Sequence, residues 1–174
     1  MRIVEIESLP LSPWKNGGGV TREVAQARDE KGLVWRLSFA EVERDGAFSI
    51  FAGLERVLTV LSGAGLILRH ENGKIEATPG SPVRFSGDLA IDCALIDGPV
   101  RDFNLIYDPA RTAMDVVRLD GGVHETRACA VLPLASACAV EGGPLVQPGS
   151  ILLNDDGCSI RLRPSGPTLV VVNR

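Results

Sequence analysis

The sequence holds few of the residues that most often announce chemistry. Of its 174 residues, two are histidine, four are cysteine and one is tyrosine, and aromatics amount to 5%. A zinc or iron centre draws two or three converging imidazoles or thiolates, whereas His70 and His124 lie far apart, each beside a glutamate, and read as surface histidines. No metal and no other cofactor is expected. Cys93, Cys129, Cys138 and Cys158 form no C-x-x-C pair and sit in apolar contexts, which suits reduced, buried thiols. The catalytic signatures H-E-x-x-H, G-x-S-x-G and G-x-x-x-x-G-K-[ST], and the EF-hand loop, are absent, and "GGGV" lacks the third glycine of a dinucleotide turn. No catalytic residue can be named from motif.

Long apolar runs are missing too. The longest, "ACAVLPLASACAV" at 128–140, falls short of the ~18 residues that span a bilayer and contains Pro133. At the amino terminus Glu5 and Glu7 interrupt the apolar segment that an export signal requires. A cytoplasmic protein with no membrane partner is expected. Basic runs are equally lacking, and the formal charge of −4 repels polyanions, so nucleic acid is not an expected partner.

What remains is an ordinary globular composition, 45% hydrophobic and 23% charged, enough for a packed core in one domain or two small fused halves. The dominant period is two. In "LVWRLSFAEVE" the residues Leu33, Trp35, Leu37 and Phe39 share one face, and Val34, Arg36, Ser38 and Ala40 the other. The same alternation runs through "ERVLTVLSG", "DCALID", "DFNLIYD" and "GPTLVVVNR", with Gly-, Pro- and Asp-rich turns between, which predicts an all-β sandwich or barrel. An internal echo aligns "ATPGSPVRFSGDLAIDCALI" from 77 with "VQPGSILLNDDGCSIRLRPS" from 146, pairing Pro79-Gly80-Ser81 with Pro148-Gly149-Ser150 and Ile91 with Ile160. Two similar β-halves are expected, residues 1–110 and 111–174.

Four of the cations in the first third of this acidic chain are candidates for a shared purpose: Lys15, Arg22, Arg36 and Arg56. On a one-sided sheet, a strand arginine faces water. If Arg36, Ser38 and Arg56 instead point inward, they make a cationic pocket lined with hydroxyls, and the arginine fork pairs bidentately with a carboxylate. The stretch "WKNGGGVTREV" at 14–24 then has two readings: a mobile hairpin loop, or a nest of backbone N–H groups that binds an anion.

"WKNGGGVTREV", "VWRLSFAEVERDGAFSIFAGLERVLTVLSGAGLIL" and "DFNLIYDPAR" together resemble the HutD/Ves family, over residues 14 to 118. The resemblance implies a cupin-type fold, a bicupin of two fused β-barrel halves of the RmlC-like jelly-roll kind. Metal cupins place two histidines and a glutamate ahead of a "VLxG" strand end. Here those positions fall in "FSIF" (48–51) and on or beside Arg56, and none is read as a metal ligand. The family further implies a binding or regulatory role in histidine and amino-acid catabolism, with an acidic metabolite such as N-formylglutamate as ligand. Its matching positions are Lys15, Asn16, Gly17, Arg22, Arg36, Ser38, Ser49, Arg56 and Asn104, while Trp14, Trp35 and Phe48 are expected to pack as barrel walls.

The leading expectation is therefore a non-catalytic receptor for a small anionic metabolite, a homodimer through open sheet edges. The alternative is a metal-independent isomerase or hydrolase of a small carboxylate, in which Arg56 stabilises an oxyanion and Glu55 or Glu23 is the base. A metal cupin using His70 and His124 stands as a third and weaker option.

Overall fold

The structure, a computed structural model, describes residues 1–174. The chain opens with β1 (Arg2–Glu5) and a 3-10 turn at Ile6–Ser8. There follow β2 (Ser12–Pro13), β3 (Gly19–Asp29), β4 (Gly32–Val42), β5 (Gly46–Ala47), β6 (Glu55–Ser62), β7 (Leu66–His70), β8 (Gly73–Ala77), β9 (Val83–Ser86), β10 (Asp92–Leu95) and β11 (Val100–Tyr107). The remainder is β12 (Met114–Leu119), β13 (His124–Thr126), β14 (Ala128–Pro133), β15 (Cys138–Val140), β16 (Leu145–Val146), β17 (Ser150–Leu153), β18 (Ile160–Pro164) and β19 (Thr168–Asn173). The fold is all-β, as the period of two predicts, and no helix is long and apolar enough to cross a membrane.

The chain divides into two compact units, Pro10–Thr112 and a second made of Met1–Leu9 with Ala113–Arg174. This corrects the expected half at 1–110, because the first nine residues belong with the carboxy-terminal segment. The reason is strand pairing: β1 lies antiparallel to β17, with Glu5 opposite Ser150. The Ser150 hydroxyl donates to the Glu5 carboxylate at 2.8 Å, and the Ile6 N–H donates to the Gly149 carbonyl.

In the larger unit a six-stranded sheet, ordered β2-β3-β4-β11-β6-β9, faces a four-stranded sheet, β5-β10-β7-β8. Their shared core draws Val42, Leu58, Val60, Phe85 and Val100 from the first and Leu66, Leu68, Ala77 and Cys93 from the second. The ladders form two facing sheets, each with free edges. The smaller unit repeats the plan, with β1-β17-β14-β19-β12 and β13-β18-β15-β16, over a core of Val131, Leu152 and Val170 against Cys138, Val146 and Leu162.

Adding eight to each strand number converts β5-β10-β7-β8 into β13-β18-β15-β16, and β4-β11-β6-β9 into β12-β19-β14-β17. The sequence echo is thus a repeat of topology. Gly80 and Gly149, paired in that echo, both take positive φ, 75° and 90°. Cys93 and Cys138 are buried thiols as expected; Cys129 is half-buried, and Cys158 departs from the expectation by lying exposed in the turn before β18.

Candidate functional site

The antiparallel register of the six-stranded sheet decides which side chains meet. Arg36 of β4 pairs with Gln26 of β3 and Ile106 of β11, and Ile106 pairs in turn with Arg56 of β6, itself opposite Phe85 of β9. The next row on the same face runs Glu23, Ser38, Asn104, Leu58, and the row after it Thr21, Ala40, Asp102, Val60. Successive residues point to opposite faces, so Leu37, Phe39, Phe103 and Leu105 occupy the other side. They too are buried, and the sheet is therefore covered on both faces.

At one end of the unit, aliphatic side chains fill the space between the sheets. At the other end the rows carrying Arg36, Ser38, Asn104 and Arg56 line a cavity of about 710 Å³, closed by the segment Ala47–Phe51 and rimmed by Trp14, Lys15 and Asn16. Lys15, Asn16, Arg36, Ser38, Ser49, Arg56 and Asn104 all line it, seven of the nine residues expected from the sequence.

The other two do not. Arg22 lies opposite Phe39 on the far face, where its guanidinium stands 3.7 Å from Glu41, because it is one residue out of step with the inward Thr21 and Glu23. Gly17 does not line the cavity, and the glycine turn is not an anion nest. Its N–H groups are already used, Gly17 donating to the Trp14 carbonyl and Gly18 to Asn16 Oδ1 at 3.0 Å.

The glycines serve packing and turning instead. Gly17 takes φ +68°, and a Cβ on Gly19 would sit 2.2 Å from the Glu41 carbonyl oxygen. Gly19→Ala is therefore expected to destabilise the larger unit by about 2 kcal/mol through overpacking. Trp14 and Trp35 both lie in this unit, so urea unfolding followed by tryptophan emission measures the loss. An unchanged midpoint would contradict the close approach.

Trp14 forms wall as expected, its indole N–H donating to Thr21 Oγ1 at 2.8 Å and its ring meeting Phe48 edge-on. Trp35 does not, since it falls on the face opposite Arg36.

Arg56 is the centre of the site. It is only 7% exposed, and its guanidinium carbon lies 5.2 Å from the ring of Phe48, 5.3 Å from Phe51 and 5.1 Å from Phe85. Such contacts are worth about 0.5–2 kcal/mol each and hold the cation in a low-dielectric cage. One terminal nitrogen donates to Asn104 Oδ1 at 3.0 Å, while Nε meets no acceptor. Burial lowers its pKa to about 10, Asp102 opposing the shift and Arg36 adding to it, so the group stays charged near neutrality. Arg36, half-buried with its Nε also unpartnered, lies 5.3 Å from the Phe51 ring; burial lowers its pKa against the pull of Glu23.

Asp102 was not among the residues expected from sequence. It is 1% exposed, one carboxyl oxygen accepts from the Asn104 side-chain amide, and the other has no partner. Burial pushes its pKa up to about 7 against the opposing effects of Arg56 and the Asn104 hydrogen bond. Its signal was available, since Asp102 and Asn104 are two apart on one strand. Thr21 and Phe51 also line the cavity and were missed. Of the two bases considered, Glu23 stands at the exposed rim, and Glu55, next to Arg56 along the strand, points to the opposite face and does not line the cavity.

Two guanidiniums facing an apolar wall suit an anion. A divalent cation does not fit this donor set: no imidazole lines the cavity, and its acids are Glu23 and Asp102. The segment and strand in which the resemblance places the cupin metal ligands contribute Phe48, Ser49, Phe51 and Arg56 to the cavity wall. His70 and His124 are half-buried rather than fully exposed, each against backbone of its own turn, His70 Nδ1 accepting from the Asn72 N–H and His124 meeting the Gly121 carbonyl.

Comparison with known proteins gives a consistent answer. The sequence profile of the HutD family matches residues 7–147. An uncharacterised 21.2 kDa protein from the hutC 3′ region of Pseudomonas putida is 37% identical over 150 residues, covering 81% of this chain and 76% of that one. Protein Ves of Citrobacter koseri is 33% identical over 112 residues, covering 61% and 57% respectively. Among solved structures, HutD from Pseudomonas fluorescens SBW25, from a formate condition, superposes with a TM-score of 0.88 at 33% identity, over 99% of this chain and 98% of that one.

More distant likeness concerns fold alone and is cupin-like. The nickel(II) complex of bacterial pirin from Escherichia coli has TM-score 0.67, with 98% of this chain and 97% of that one covered at 8% identity. The formate complex of oxalate decarboxylase from Lactobacillus farciminis has TM-score 0.65, with 97% and 85% covered, also at 8% identity.

Proposed function

The chain belongs to the HutD family, and on that premise we propose that its larger unit is a receptor for a small carboxylate of histidine and amino-acid catabolism, regulating flux rather than catalysing a step. Membership associates the protein with histidine utilisation. The observation that carries the finer reading is that Arg36 and Arg56 stand in one row of a cavity wall with Ser38 and Asn104 in the row beside them. Each guanidinium keeps an unpartnered Nε. Buried arginine without a carboxylate hydrogen-bonded to it is costly, and an entering carboxylate removes that cost. The formate condition of the Pseudomonas fluorescens relative is compatible with such a site. An acidic intermediate of the kind of N-formylglutamate is small enough to enter it and carries the charge to pair with its arginines. The doubled strand order supports a bicupin, and open edges such as β8 support a homodimer, which sedimentation tests.

Thermal unfolding with histidine, urocanate, N-formylglutamate and formate tests the proposal, because a compound that binds only the native state raises the midpoint. An acidic compound should do so and neutral analogues should not; no shift from any anion at millimolar concentration would defeat the reading. Arg36→Gln should weaken the effective compound about tenfold, the scale of one charged hydrogen bond, with stability altered by only about 0.5 kcal/mol.

A metal-independent enzyme is the second reading, favoured by one observation: Asp102, with its pKa near 7, stands in the cavity as a proton acceptor. Turnover of any of these compounds by the native protein but not by Asp102→Asn would advance it.

A further inference from the structure

The cavity holds one buried acid that an anion receptor does not need. Asp102 lines the same wall as the two guanidiniums, yet forms no hydrogen bond with either. Its Oδ1 is engaged by Asn104, which passes the contact on to Arg56; its Oδ2 is buried and without a donor. An ionised carboxylate left with an orphaned oxygen in a low-dielectric wall is costly. A second carboxylate brought onto Arg56 would place two like charges around one cation, and such pairs resist joint ionisation.

We propose that Asp102 is the proton-linked member of the site: an entering carboxylate is bound together with one proton from solvent, which Asp102 Oδ2 takes up. The inference rests on the carboxylate-receptor reading and adds its chemistry. Protonation removes the negative charge from the buried, unpartnered Oδ2. It leaves Arg56 free to spend its charge on the ligand, and Asn104 keeps its hydrogen bond to Oδ1.

The surrounding groups leave Asp102 as the titrating one. Arg56 of β6 acts on it directly, and Arg36 of β4 lines the same cavity, both cationic through neutrality; Glu23 of β3 and Lys15 stand at the exposed rim. From β10 it faces Cys93, whose thiol is pushed up to about 12 by burial and then by Asp102, Asp45 and Asp92, so that it keeps its proton. The raised pKa of Asp102 itself agrees with this assignment.

Formate is the probe, since it remains an anion across the range used. Its dissociation constant is measured from thermal midpoints at a series of pH values, and proton uptake from an indicator dye on mixing at matched pH in weak buffer. Affinity should be level below about pH 6 and fall about tenfold per unit well above neutrality, with close to one proton taken up per bound formate at about pH 8. In Asp102→Asn the slope should vanish. The native-protein dye measurement decides the matter if that variant fails to fold. Binding with no proton uptake and a flat pH profile overturns the linkage while leaving the receptor reading intact. A slope that persists in Asp102→Asn assigns the proton elsewhere and also overturns it. Failure of formate and the larger carboxylates to bind at any pH defeats the receptor reading and the linkage with it.

Discussion

Arg56→Met is expected to weaken carboxylate binding at least about thirtyfold, since removing one member of a buried charged contact costs about 2–5 kcal/mol. Methionine isolates the charge from the packing. Its flexible thioether stem can fill the space among Phe48, Phe51 and Phe85, and sulfur–aromatic contacts replace part of the cation–π attraction. The exchange removes the cost of a buried cation but leaves Asn104 Oδ1 without its donor, at about 1–3 kcal/mol. The fold should survive with a tryptophan-monitored unfolding midpoint lowered by no more than that, while calorimetric titration loses its signal. Arg56→Ala would confuse the two effects by opening a void between the sheets. The nearest competing explanation is that Arg36 alone holds the ligand. Full affinity in Arg56→Met with loss in Arg36→Gln would establish that and remove Arg56 from the site.

Much of this arrangement follows from period-two alternation and needs no tertiary information. Once Arg36 is set inward, Ser38 and Ala40 must follow. The same rule separates Arg22 from Thr21 and Glu23 and excludes Glu55 once Arg56 is inward. Arg22 was misassigned because it was chosen by charge, without following the alternation of its own strand. What the chain hides is pairing between distant strands. Asn104 meets Arg56 only because β11 lies between β4 and β6, and that order is a property of the sheet topology, not of any local pattern. Asp102 shares its face with Asn104, so its direction was legible; its burial was not, because an aspartate in "VRDFNLIY" looks like a solvated strand residue until both faces of the sheet are known to be covered. The glycine turn misled for a different reason. Three glycines admit an anion nest as readily as a close approach, and only the Glu41 carbonyl beside Gly19 distinguishes them. The pairing of β1 with β17 had no signal in the pattern of residues 1–9, which read equally well as the start of the nearer half.

Asp102→Asn is expected to change the pH dependence of stability more than any other single substitution in the cavity. Folding raises the pKa of Asp102 from its ordinary 3.8 to about 7. The native state therefore holds this proton more tightly than the unfolded chain does. Stability contributed by the protonated group is fully present below about pH 4 and is withdrawn as pH rises toward 7, where the folded protein must keep a buried carboxylate. Each unit of such a shift corresponds to about 1.4 kcal/mol. Because Arg56 shares in the balance, the expected span is about 3 kcal/mol. Asparagine keeps the shape and the acceptor for Asn104 but cannot ionise, so its stability relative to the native protein should rise by that amount between about pH 4.5 and about pH 8. In a chain of this size that is roughly 6–12 °C in the unfolding midpoint. Urea unfolding read by Trp14 and Trp35 measures it in the larger unit. Parallel pH profiles for the two proteins would mean that Asp102 stays ionised in the fold. Its unpartnered oxygen would then have to be satisfied by water reaching the cavity floor, and the proton-linked mode of binding would lose its physical basis.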